Sequence, residues 1–160
     1  NICRKLLEDY SLEAEKKGIT FVAQIAPNTG IDIFTNLEYF LNIIKSLTGN
    51  AMKFTERGSV TVRFADEDGT LVASVEDTGS GIAKSDQAKV FSAYYQSDDY
   101  STRSYGGLGI GLYTAKKLAD MLGGELSFVS EKDHGSIFKL TIPMKLLSIP
   151  VPATDAPSQG

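Results

Sequence analysis

NLEYFLNIIKSLTGNAMKF, residues 36–54, carries the strongest periodicity in the chain. Phe40, Ile43, Ile44, Leu47, Ala51 and Phe54 recur at helical intervals, which predicts an amphipathic helix with one apolar face. Such a face has to be covered, and the flanking segments supply a sheet to cover it.

Upstream, Ile2, Leu6, Leu7, Tyr10 and Ala14 predict a helix over residues 2–17, stopped by Gly18. ITFVAQI, residues 19–25, reads as a strand, Pro27 and Gly30 bracket a turn, and a short return strand is expected over 31–34. Downstream, residues 59–65 and 70–76 flank DEDG at 66–69 and predict an antiparallel hairpin with one solvated face. Leu108, Leu112, Ala115, Ala119 and Leu122 mark a second amphipathic helix, ended by Gly123 and Gly124. Two more strands, 125–130 and 136–143, close the set around a turn holding Asp133, His134 and Gly135. Helices mixed with mostly antiparallel strands predict an α/β two-layer sandwich, not a doubly wound sheet. No internal repeat is visible. The tail, with Pro150, Pro152 and Pro157 among small polar residues, reads as a linker.

The 160 residues, 42% hydrophobic, suffice for one domain with a real core. A net charge of −4, from 16 basic and 20 acidic side chains, gives no footprint for a phosphate backbone or an anionic membrane, so nucleic acid is not an expected partner. The one cysteine, Cys3, has no internal partner, and no His/Cys spacing suggests zinc. A reducing, cytoplasmic compartment is expected. No apolar run reaches the roughly 20 residues of a membrane span, and the first residues lack a signal-peptide core, so no direct membrane contact is expected.

Three stretches could carry chemistry. On the 36–54 helix, Asn42, Ser46, Asn50 and Lys53 form a polar stripe beside the apolar face. Asn50 offers an amide oxygen for a hard cation such as magnesium, and Lys53 a positive charge for phosphate. The stripe reads equally as a solvated face. DTGSGI, residues 77–82, follows a strand and puts Asp77 at its end, where a carboxylate can accept from an exocyclic amine such as that of adenine. Read alone, it is also an ordinary Asp-initiated turn. GGLGIGL, residues 106–112, leads from a polar loop into a helix whose N–H groups could cradle a polyphosphate. It is neither a P-loop nor a dinucleotide fingerprint, and a flexible hinge is an equal reading. Between the last two, VFSAYYQSDDYSTRSY, residues 90–105, reads as a nucleotide lid or as an ordinary long loop, with Arg103 meeting a phosphate or solvent.

Taken in order, NAMKFT at 50–55, DTGSGI, VFSAYYQ at 90–96 and GGLGIGL resemble the asparagine, first glycine, phenylalanine and second glycine boxes of sensor histidine kinases. The resemblance covers residues 1–145. It points to the GHKL ATPase superfamily, with a Bergerat-type sandwich and a mobile ATP lid. Gln96 and STRSYGG in the lid look most like hybrid kinases. The resemblance implies Mg-ATP as cofactor, with Asn50 for the metal, and Asn50, Lys53 and Arg103 as catalytic residues. It implies Asp77 for the adenine amine, Gly79 and Gly81 for its pocket, Lys53, Gly107, Gly109 and Gly111 for the phosphates, and Ile82, Tyr94, Leu108 and Leu112 as further nucleotide-binding residues. It further implies transfer of the γ-phosphoryl group to a histidine on a separate dimerisation domain, then to a response-regulator receiver aspartate. His134 lies in a turn, so the acceptor is expected on other sequence. Residues 1–18 then read as a lead-in from that dimerisation domain, 19–145 as the ATP-binding domain and 146–160 as a linker.

Three positions depart from the pattern. Asn36 stands where an acidic residue is usual, Tyr39 where arginine is usual, and Ser46 where a further asparagine is usual. They support an alternative, a degenerate regulatory module with weak or no nucleotide binding. A third reading, an ATPase of the gyrase or chaperone kind, lacks its water-activating glutamate, since Asn42 occupies that place.

Overall fold

A computed structural model describes residues 2–27, 29, 37–92 and 110–147 of the chain. In order these form α1 (Ile2–Lys17), β1 (Thr20–Ile25), α2 (Leu37–Phe54), β2 (Ser59–Glu67) and β3 (Thr70–Asp77). They continue with α3 (Lys84–Gln87), α4 (Ile110–Met121), β4 (Glu125–Glu131), β5 (Gly135–Pro143) and α5 (Met144–Leu147). The expected return strand at 31–34, residue 36, residues 93–105 of the stretch that reads as a lid, and residues 106–109 of the glycine-rich stretch lie outside the described residues.

The strands form one sheet in the order β1-β2-β3-β5-β4. β1 runs parallel to β2, and the other pairs are antiparallel. The expected hairpin closes through Asp68 and Gly69, both at positive φ, the geometry of a type I′ turn matched to strand twist. Asp66 Oδ1 accepts the Gly69 N–H at 2.9 Å and fixes the corner.

Alternation sorts the strands into two faces. Val60, Val62 and Phe64 of β2, Leu71, Ala73 and Val75 of β3, and Phe138, Leu140 and Ile142 of β5 are buried. On the outer face Arg63 and Glu76 form an exposed ion pair at 3.4 Å, the solvated side the sequence predicts. Phe40, Ile43, Ile44, Leu47, Ala51 and Met52 of α2 and Leu112, Ala115 and Ala119 of α4 cover the inner face. α1 adds Cys3, Leu6 and Ala14 to this core. Its Tyr10 hydroxyl donates to the Lys45 carbonyl of α2 at 3.1 Å, and Lys17 Nζ donates to the Met52 carbonyl. α1 and α4 both end in paired turn bonds, Ile19 N–H to Ala14 O and Gly124 N–H to Ala119 O, at the glycines the sequence marks as stops.

Two short helices were not foreseen from sequence. α3 follows the 77–82 loop, and α5 follows β5. Leu146 of α5 packs against the core, just past the 145 boundary that the family resemblance implies.

Among the described residues, one buried side-chain group is left without a partner. Thr48 on α2 is fully buried, and its hydroxyl makes no hydrogen bond. An unpaired buried hydroxyl costs about 1 kcal/mol or more. Thr48→Val is therefore expected to stabilise the chain by about 1 kcal/mol, read as a rise in the urea midpoint with an unchanged slope.

Candidate functional site

The polar stripe of α2 leaves the core at its C-terminal end. Asn42 is exposed, whereas Ser46, Asn50 and Lys53 are half-buried beside the apolar face. Asn50 lies one turn from Ser46 and one turn from Phe54. The Lys53 ammonium sits 5.5 Å from the centre of the Phe54 ring, and burial pulls its pKa below the ordinary lysine value. A cation that has shed part of its water gains more from meeting an anion.

Asp77 ends β3, with Val60 of β2 and Ser136 of β5 as its strand partners. It is 6% exposed, and among the described acidic residues only Asp86 is also buried. Burial is the main influence and pushes its pKa up, with the nearby Glu76 charge adding to the rise. The backbone N–H groups of Gly79 and Ser136, both donating to the carboxylate, pull it partly back. The Gly79 bond is 2.8 Å. The result is a desolvated acceptor at the mouth of the sheet, suited to a polar N–H partner and poorly suited to a carbonyl.

The loop after Asp77 is pinned on every side. Ser80 N–H donates to the Phe54 carbonyl at 3.3 Å, tying the loop to the last residue of α2. Asp133 N–H donates to the Ser80 carbonyl at 2.6 Å, tying it to the β4–β5 turn. Thr78 Oγ1 accepts the Ser59 N–H and donates to the Arg57 carbonyl, both at 3.0 Å. The glycines answer to these contacts. A Cβ on Gly79 would stand 2.4 Å from the Phe54 carbonyl oxygen, and one on Gly81 would stand 1.9 Å from that of Glu131. Close approach of the protein to itself already demands glycine here.

At the other wall, α4 meets α2 through Gly111, where an added Cβ would lie 4.0 Å from Ser46 Cβ. Gly111 is thus next to the α2 stripe. Leu112 is buried in the core cluster, and Ile82 packs against that cluster partly buried. Phe91, from the phenylalanine box, meets Phe128 edge-on at 5.6 Å, and Phe128 stacks on Phe138 at 5.4 Å. That trio fastens the chain at residue 91 to the sheet. Tyr94, Arg103, Gly107, Leu108 and Gly109 lie outside the described residues.

Sequence reasoning missed Gln87, Ser130, Gly135 and Ser136, which surround Asp77 and its loop. No local motif marks them: Ser130, Gly135 and Ser136 reach the site through strand register, Asp77 pairing with Ser136 and Ser136 with Ser130, and Gln87 reaches it from α3 through its side-chain amide on the Ile82 and Ser130 carbonyls.

The family described as histidine kinase-, DNA gyrase B- and HSP90-like ATPase matches residues 36–146. This chain belongs to that family. Among curated relatives, the autoinducer 2 sensor kinase/phosphatase LuxQ of Vibrio parahaemolyticus is 33% identical over 148 residues, covering 89% of this chain and 17% of LuxQ. The chain spans less than a fifth of the length of the curated relatives it matches. Among solved structures, full-length ShkA in complex with AMPPNP superposes with a TM-score of 0.77 at 30% identity, over 89% of this chain and 29% of that one. The nucleotide-free catalytic domain of the histidine kinase ThkA gives 0.74 at 21% identity, over 89% of this chain and 92% of that domain, a likeness of fold. The architecture is the Bergerat-type sandwich of histidine kinase catalytic domains.

Two outcomes follow from this geometry. Because folding raises the Asp77 pKa, it favours the protonated carboxyl. That contribution is fully present below the ordinary aspartate range and is lost as pH rises through the raised value, so the carboxylate costs stability at neutral pH. Asp77→Asn is expected to melt higher than the wild type at neutral pH, with the gap closing below about pH 4, in pH-resolved thermal denaturation. Gly135 has φ +89° and would carry its Cβ 2.0 Å from the Asp77 carbonyl oxygen. Gly135→Ala is expected to lower stability by about 2 kcal/mol or more in chemical denaturation.

Proposed function

We propose that this chain binds Mg-ATP at the Asp77 loop and donates the γ-phosphoryl group to a histidine on a separate dimerisation domain in two-component signalling. The observation that carries the reading is Asp77 itself, a buried carboxyl held at a strand end by two N–H groups, with the C-terminal end of α2 tied to its loop. Asp77 receives the adenine amine, with Gly79, Gly81, Ile82, Tyr94 and Leu112 around the base. Gly107, Leu108, Gly109 and Gly111 meet the phosphates at the start of α4. Lys53 and Arg103 contribute positive charge.

Asn50 is the protein ligand for magnesium. Among the described residues no group of three His, Cys, Asp or Glu side chains could hold a metal ion. Magnesium bound to a nucleotide keeps several waters and takes phosphate oxygens, needing only one or two protein groups. When bound, magnesium supplies charge neutralisation along the phosphates. The chain's own contribution is positioning: it fixes the base at Asp77 and aligns the phosphate chain between α2 and α4, leaving little covalent chemistry to perform.

Residues 1–18 lead in from the dimerisation domain, 19–145 form the bulk of the catalytic unit, and the 146–160 linker starts from the end of α5, where Leu146 still packs on the core. The partners are that histidine-bearing domain and a response-regulator receiver domain, in a cytoplasmic setting. No helix among the described residues is long and apolar enough to cross a membrane. The second reading, a degenerate regulatory module, rests on Ser46, whose short side chain faces Gly111 across the α2–α4 contact.

Calorimetric titration with a non-hydrolysable ATP analogue separates the two. Saturable, magnesium-enhanced binding that Asp77→Asn weakens at least about 100-fold is the expected result. No binding by the wild type hands the conclusion to the regulatory module. Ser46→Asn is expected to raise phosphohistidine formation on an added acceptor domain, measured as acid-labile label.

A further inference from the structure

Asp77, Ser136 and Ser130 stand in one row across three neighbouring strands, β3, β5 and β4. Asp77 takes the Ser136 N–H. Ser136, itself buried, has its hydroxyl 2.8 Å from that of Ser130. Ser130 Oγ also accepts the Ile82 N–H at 2.8 Å and donates to the Gly135 carbonyl at 3.0 Å. With the Ser136 hydroxyl as donor, Ser130 Oγ spends its one proton and both lone pairs, a saturated hydroxyl. The Ile82 carbonyl is taken by Gln87 Nε2 at 3.1 Å, and the same amide donates to the Ser130 carbonyl at 3.0 Å. Both backbone groups of Ile82 are thus held by side chains from outside the loop.

We infer that Ser130, seconded by Gln87, is the positioning residue of the nucleotide site: it holds the far end of the 77–82 loop so that the Asp77 carboxyl and the loop backbone keep one receiving shape. This rests on the nucleotide reading above. The near end of the loop is fixed by Gly79 on Asp77 and by Ser80 on Phe54. Without Ser130, Gln87 is the one hydrogen-bond partner left to the Ile82 backbone among the described residues, and it is a longer side chain with more rotamer freedom to lose. The hydroxyl touches no substrate. Its effect reaches the base through the register that joins it to Ser136 and Asp77.

The test compares the full chain with Ser130→Ala, Ser130→Thr and Gln87→Met. Two readouts are used: residue-resolved amide hydrogen exchange, and affinity for non-hydrolysable ATP and GTP analogues. Ser130→Ala is expected to speed exchange at Ile82 about tenfold while Val62 in β2 exchanges as in the wild type. It is expected to weaken the ATP analogue about five- to tenfold and to narrow the preference for ATP over GTP. Ser130→Thr, which keeps the hydroxyl, should restore both, and Gln87→Met should show the same pattern more weakly. Equal acceleration at Val62 and Ile82 would mean a merely structural role and overturn the proposal. So would wild-type affinity in Ser130→Ala. A wild-type chain that binds neither analogue brings down the nucleotide reading first, and this proposal with it.

Discussion

A carboxyl group kept from water has to be held by something, and in this chain the Asp77 carboxyl is held by the N–H groups of Gly79 and Ser136. Much of the surrounding architecture serves that placement. β3 must end at Asp77, β5 must bring Ser136 alongside, and Gly135 must lack a side chain so that β5 can pass close to the Asp77 carbonyl. The loop must then turn back under the Phe54 carbonyl at the end of α2. A desolvated acceptor costs stability at neutral pH and is retained where a ligand can use it.

α2 joins that site to the core. One face, from Phe40 to Met52, is buried against the sheet, while its edge keeps Ser46, Asn50 and Lys53 half-exposed. Because a helix is rigid over its 18 residues, packing at Phe40 and Ile44 fixes where Asn50 and Lys53 point. α1 adds a further hold, through Tyr10 on Lys45 and Lys17 on Met52. A shift of α1 is therefore felt along the same helix that carries the polar stripe.

Local chemistry made some features legible. The α2 period, the Gly18 and Gly123 stops and the Asp68-Gly69 corner each depend on a few adjacent residues, so their reading carries directly into the folded chain. The 77–82 loop was visible as a motif, but the reason for its glycines was not. Sequence suggests room for a ligand, whereas the fold already requires room for the carbonyls of Phe54 and Glu131. Phe91 likewise looks like one aromatic among lid residues, and only packing reveals it as the ring set against Phe128.

Sequence by itself determined which residues prefer helix, strand and turn, and it brought out four ordered boxes whose resemblance named the family. Those signals are short-range: a period, a glycine, a box of six or seven residues. Only the tertiary structure decided that Ser130 lies in one row with Ser136 and Asp77, that Gln87 closes on Ile82, and that Gly111 meets Ser46. These pairs are up to tens of residues apart in the chain. Strand register and helix packing bring them together, and both are set by how the whole apolar surface is buried at once rather than by any local preference.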